Sequence, residues 1–198
     1  MIKAHSLTMA RYHGWACDRL FASLDAVSDA DWRADHGLFF KSLHGTLNHL
    51  LLADLIWYGR FTGRPYAAAS LADEVESDRS ALQQRAREQA ERWIELVEAS
   101  DETVFASRLR YANMAGQACD TQWAGTLLHV FNHATHHRGQ MSAVATRLGQ
   151  VEIHPFHALG NRDFLSRVVA ETHAGMATIE DSDAIKQEVK LLEVSHFV

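Results

Sequence analysis

Apolar side chains recur at three- and four-residue steps in four long stretches of this chain. That is the period of a helix with one buried face. The first stretch runs from about Ser6 to Val27, with Met9, Tyr12, Trp15, Ala16, Leu20 and Leu24 on its apolar side. Ser28-Asp29-Ala30-Asp31 closes it, and residues 30 to 41 read as irregular chain anchored on the core by Trp32, Phe39 and Phe40. The second helix starts near Ser42, a suitable N-cap. It ends near Gly63-Arg64-Pro65, where a glycine and a proline both oppose continuation. After a loop at residues 64–70, Ser70-Leu71-Ala72-Asp73 resembles a capping box. It predicts a third helix from about Leu71 to Ser100, charged on most faces, with Leu82, Ala86, Trp93, Leu96 and Val97 on the buried side.

Residues 101–119 break the helical period. Thr103-Val104-Phe105, Leu109, Tyr111 and the region of Gly116 read as a hairpin or an extended crossover. A connection of that length allows the next helix to lie parallel to its predecessor, or to cross the end of a bundle. The fourth helix runs from about Thr121 to Leu148 and is closed by Gly149. Beyond it come a loop around His154-Pro155-Phe156, a short helix near Arg162 to Thr172, and a tail with an amphipathic helix from Ser182 to Val194. The pattern predicts an all-α helical bundle over residues 1–170 and a docked helical tail over 171–198.

Composition narrows the function. The chain has 198 residues, 47% of them hydrophobic, enough for one core. The net charge is −6 with no basic stripe, which argues against a nucleic-acid surface. The most apolar window, Leu47 to Phe61, contains Asn48, His49, Asp54 and Arg60 and is too short and polar to span a bilayer. Cys17 and Cys119 stand in no ligand spacing, which fits a reducing cytoplasm, and the N-terminus lacks a signal-peptide pattern.

The chemistry is concentrated in LLHVFNHATHHRGQ, residues 127–140, which holds four of the thirteen histidines. His133 and His137 are four residues apart, so on a helix both can reach one metal ion. Placed on a wheel, His137 falls roughly 50° and His133 roughly 90° from the centre of the apolar face, while His129 and His136 fall roughly 130° and 150° away. The pair that can point inward is therefore His133 and His137. His49 lies beside the apolar face of the second helix and could enter the same interior. Three neutral imidazoles suit zinc, nickel, iron or copper, zinc and nickel being the ions expected here. They leave a fourth position for water or substrate. The alternative is a set of satisfied buried histidines. Asp54, on the apolar side of its helix, could accept a hydrogen bond from a ligand histidine or pair with Arg138. Arg138 and Gln140 could orient the site or an anionic substrate group. His5, His13, His36, His44, His154, His157, His173 and His196 read as surface or loop residues.

Three segments together resemble the DinB/YfiT-like superfamily: NHATHHRGQ (Asn132 to Gln140), TLNHLLLADLIWYGRFTG (Thr46 to Gly63) and ARYHGWACDRL (Ala10 to Leu20). The resemblance extends from about residue 5 to 165. It implies an up-down-down-up four-helix bundle holding a divalent metal through His49, His133 and His137, and a homodimer. Several members of that superfamily are thiol-dependent enzymes, among them bacillithiol S-transferases and a mycothiol-dependent isomerase. The tail departs from the usual short ending.

The leading expectation is thus an enzyme that uses its metal to transfer a low-molecular-weight thiol to an electrophile. A variant activates water for hydrolysis. The competing expectation is a non-catalytic, metal-stabilised bundle that acts in stress response through partners.

Overall fold

The computed structural model describes residues 1–150. The expectations for 151–198, including the domain boundary near 170 and both tail helices, lie outside them. The elements in order are α1 (Ile2–Leu24), α2 (Asp29–Arg33), α3 (Leu43–Thr62), α4 (Arg79–Ala99), a 3-10 turn (Glu102–Ala106), strands β1 (Arg108–Ala112) and β2 (Ala118–Gln122), and α5 (Trp123–Arg147). The four long helices form a four-helix bundle, and the fold is all-α apart from the two-stranded hairpin.

Two apolar clusters fix the helix directions. One collects Leu20, Leu24, Leu43, Leu47, Leu82, Met141 and Val144; the other collects Ala10, Trp93, Val97, Trp123, Leu127 and Phe131. The first therefore holds the end of α1, the starts of α3 and α4, and the end of α5. The second holds the opposite ends, with Phe61 of α3 packed against it. The helices run up, down, down, up. Consequently α3 and α4 are parallel, and residues 63–78 must return along the bundle between them. The segment 100–122 crosses the bundle end instead. Within it Thr103-Val104-Phe105 are not extended; they belong to the 3-10 turn, with Phe105 buried. The hairpin that follows is antiparallel, with Tyr111 opposite Cys119.

The start of α4 differs from the sequence expectation by eight residues, because the intervening backbone is hydrogen-bonded elsewhere. Asp73 Oδ2 accepts from the amides of Ala69 and Ser70 at 2.8 and 3.1 Å, and Ser70 Oγ accepts from Ala72 at 3.1 Å. The polar pair that resembles a capping box thus closes a turn. Asn48 Oδ1 then accepts from the amides of Val75 and Glu76 at 2.7 and 2.9 Å, fastening the return run to α3. Asp78 is the N-cap of α4, accepting from Ala81 at 2.8 Å. The caps of α3 are those expected: Ser42 Oγ accepts from Gly45 at 2.9 Å, and Gly63 ends the helix at φ 69°.

Of the three anchors expected between α1 and α3, two hold. Trp32 is buried, and Phe40 is half-buried against the histidines described below. Phe39 is 85% exposed and anchors nothing on the core. Gly45 lets this loop fold onto α3, since a Cβ there would lie 2.3 Å from the Phe40 carbonyl oxygen.

Candidate metal centre

Three imidazoles meet where α3 faces α5. His133 Nε2 lies 3.2 Å from His49 Nε2 and 3.2 Å from His137 Nε2. His49 and His137 are buried and His133 is half-buried. The remaining ring nitrogens of two of them are engaged. His49 Nδ1–H donates to the Leu71 carbonyl at 2.9 Å, and His137 Nδ1–H donates to Gln140 Oε1 at 2.8 Å. Gln140 Nε2 in turn donates to His136 Nε2 at 3.1 Å, which orients the amide. His49 and His137 therefore present bare Nε2 lone pairs inward.

This arrangement cannot satisfy itself. A proton on His133 Nε2 could serve only one of its two neighbours well, leaving a buried acceptor facing another. A cation resolves the conflict. Imidazole nitrogens at 2.0–2.1 Å around a tetrahedral ion stand about 3.3–3.4 Å apart, close to the two 3.2 Å separations from His133, and the donor atoms of all three residues lie within 4.8 Å of one another. The donor set fits a divalent metal of borderline softness, and its outer hydrogen bonds are of the kind that orient metal-bound histidines.

The electrostatics point the same way. The pKa values of His133 and His137 are each pulled down to about 4. Burial is the main cause for both. For His133 the neighbouring His137 and His49 rings add to it; for His137 the Gln140 hydrogen bond opposes it. Burial also lowers the pKa of His49. The rings are thus unprotonated and able to ligate at neutral pH. Phe40 covers one side of the cluster, its ring 3.8 Å from that of His49 at 16° and 5.8 Å from that of His137.

The comparison with known proteins now bears on this geometry. The sequence model of the DinB family matches residues 1–161. The chain belongs to the DinB family. It is 26% identical over 144 residues to Protein DinB of Bacillus subtilis (strain 168), covering 70% of this chain and 83% of that protein. Its fold is similar to that of YfiT from Bacillus subtilis, described as a probable metal-dependent hydrolase with an unusual four-helix bundle topology. The TM-score is 0.55 at 17% identity, covering 72% of this chain and 87% of that one.

The other site candidates in this DinB-family chain separate into two groups. Gln140 touches the histidine cluster through His137. Asp54 and Arg138 do not. Both are buried on the α1 side, and His13 stands between them. Arg138 Nη1 donates to His13 Nδ1 at 2.9 Å, so the His13 proton sits on Nε2, which donates to Asp54 Oδ2 at 3.1 Å. Arg138 Nη2 donates to Thr135 Oγ1 at 3.0 Å. Among the described residues Asp54 accordingly accepts a hydrogen bond from His13, and from neither a ligand histidine nor Arg138.

His13 is the residue that sequence reasoning missed, and a signal for it existed. Ala10, His13, Cys17, Leu20 and Leu24 form an unbroken stripe at three- and four-residue steps, and all are buried. His44 is likewise buried rather than exposed. The Trp32 indole donates to its Nδ1 at 3.1 Å, and its Nε2 faces Glu74 Oε1 at 2.8 Å. His129 and His136 are exposed, as the wheel predicts.

Proposed function

We propose that this DinB-family protein is a divalent-metal-dependent enzyme acting on a small molecule, with zinc or nickel held by His49, His133 and His137. One observation carries the reading: three ring nitrogens converge at ligand spacing while two of the rings spend their other N–H on an acceptor outside the cluster. A bound cation supplies Lewis acidity there, lowering the pKa of a coordinated thiol or water. The chain's own part is to hold and to shield. The Leu71 carbonyl and Gln140 fix the ring orientations, Phe40 closes one side to water, and burial keeps the imidazoles unprotonated.

Between the two reactions we favour transfer of a low-molecular-weight thiol to an electrophile. Asp54 is buried and hydrogen-bonded to His13, so it is not free to take a proton from an attacking water. A thiol loses its proton more readily than water does, and needs a general base less. Hydrolysis is the second reading, supported by the description of the similarly folded YfiT as a probable metal-dependent hydrolase.

The test is metal content on untagged protein, beside His49→Ala, His133→Ala and His137→Ala, with His136→Ala as control. We expect about one ion per chain, lost in the first three variants and kept in the control. Absence of metal after reconstitution overturns the reading. On loaded protein, an aryl halide assayed with and without thiol, beside an aryl ester, separates transfer from hydrolysis.

A further inference from the structure

One cation in the bundle has an unusual setting. Arg60, in the last turn of α3, has its guanidinium carbon 4.4 Å from the Trp57 ring centroid and 4.6 Å from that of Tyr111. The two rings meet edge to face at 5.3 Å. No carboxylate pairs with Arg60 among the described residues. Its charge complements the C-terminal end of α3, which explains a cation there but not aromatic rings on two sides. Cation–π contact with two rings holds a guanidinium in place without giving its N–H groups an acceptor. Partial burial lowers the Arg60 pKa, the mark of a cation short of solvation.

Two cations on the adjacent hairpin are already engaged. Arg108 and Arg110 hold Asp120 at 2.6 and 3.2 Å. Alternate residues of a strand face opposite sides, so Asp120 lies on the other face of the hairpin from Tyr111 and Cys119. No acidic residue on the Tyr111 face of the strands competes for Arg60.

The position relative to the histidines gives this cation its meaning. His133 lies 6.2 Å from the His129 ring, His129 lies 5.8 Å from Trp57, and Trp57 lies under Arg60. A continuous aromatic wall thus leads from the histidine cluster to the guanidinium, on exposed and half-buried residues. We propose that Arg60, walled by Trp57 and Tyr111, is an anion subsite that binds a carboxylate of the substrate whose reacting end lies at the three histidines. The placing of the reacting end at the histidines rests on the function proposed above; the subsite itself does not. A single positive charge between apolar walls suits a planar monoanion better than a phosphate dianion. In a chain of net charge −6, such a cation gives an acidic small molecule a place to enter.

The test is titration of isotope-labelled protein with benzoate, read on the Arg60 Nε–H and Trp57 Nε1–H resonances, in metal-free and metal-loaded samples. Inorganic phosphate is the second probe. We expect saturable shifts at millimolar benzoate in both samples and weaker binding of phosphate. Arg60→Gln should lose about tenfold in affinity, and Arg60→Lys should lose less, with the remaining tryptophan resonances unmoved in both. An absent shift in the wild type, equal affinity in Arg60→Gln, or tighter phosphate binding overturns the carboxylate subsite. Benzoate binding in protein that takes up no metal leaves the subsite standing and removes the metal reading alone.

Discussion

The rings of Phe40 and His49 lie 3.8 Å apart and nearly parallel, at 16°. The stack joins the loop before α3 to a histidine in the second turn of that helix. It shields the histidine from water and holds its plane.

Removing that shield has two measurable effects. Phe40→Ala should destabilise the metal-free protein by about 1–2 kcal/mol, less than the full cost for a buried aromatic because Phe40 is half-buried. It should also weaken metal binding about tenfold, by freeing the His49 ring. Urea unfolding and competition with a chromogenic chelator measure the two separately.

Gln140 offers a narrower test. Gln140→Ala removes the acceptor of His137 Nδ1–H and leaves all three Nε2 atoms in place. Metal affinity should fall by about 10–100-fold. Gln140→Glu keeps an acceptor and should recover most of it. Chelator competition over the three proteins checks the order.

Asp54, His13 and Arg138 form a buried polar row hydrogen-bonded through the central ring, with Arg138 Nε left without a partner among the described residues. His13→Ala separates the carboxylate from the guanidinium and should cost about 3 kcal/mol or more of stability. Because His13 makes no contact with the three histidines, the metal content of the folded variant should be unchanged. Chemical denaturation together with metal analysis distinguishes this row from a catalytic group.

The lowered pKa values set a direction for acid sensitivity. His133 and His137 titrate near pH 4 in the folded protein, mainly because of burial, against about 6.5 in an unfolded chain. Between those values the unfolded chain binds more protons. Stability of the metal-free protein is therefore full above about pH 6.5 and falls as pH drops toward 4. Urea midpoints from pH 7 to 4 should show the loss, and His133→Ala should flatten part of it.

Much of this was legible in the sequence because helix period and side-chain chemistry are local. Three of the four bundle helices were placed to within a few residues, and the histidine spacing on α5 singled out the inward pair. What was missed depended on tertiary partners. Asp73 turns back on Ala69 and Ser70, and Asn48 captures Val75 and Glu76, so a helix-like stretch is held as a return run. His13 reads as a surface residue because Met9, Tyr12 and Trp15 set the apolar side of α1 in the sequence, whereas in the fold all three are only half-buried. Phe39 and Phe40 are alike in sequence, and only the fold decides which one finds an imidazole to cover.

The return run between the parallel helices also shapes how the bundle assembles. Neighbouring helices joined by a tight turn can dock as a local pair, whereas α3 and α4 cannot meet until residues 63–78 have doubled back. That same run delivers the Leu71 carbonyl to His49, and the other two imidazoles arrive from α5, the nearer of them 84 positions later in the chain. Loop closures of this span come late, and their entropy is recovered only on completion. The three-nitrogen cluster is therefore a register of finished assembly: a chain with any one crossing incomplete lacks the arrangement altogether.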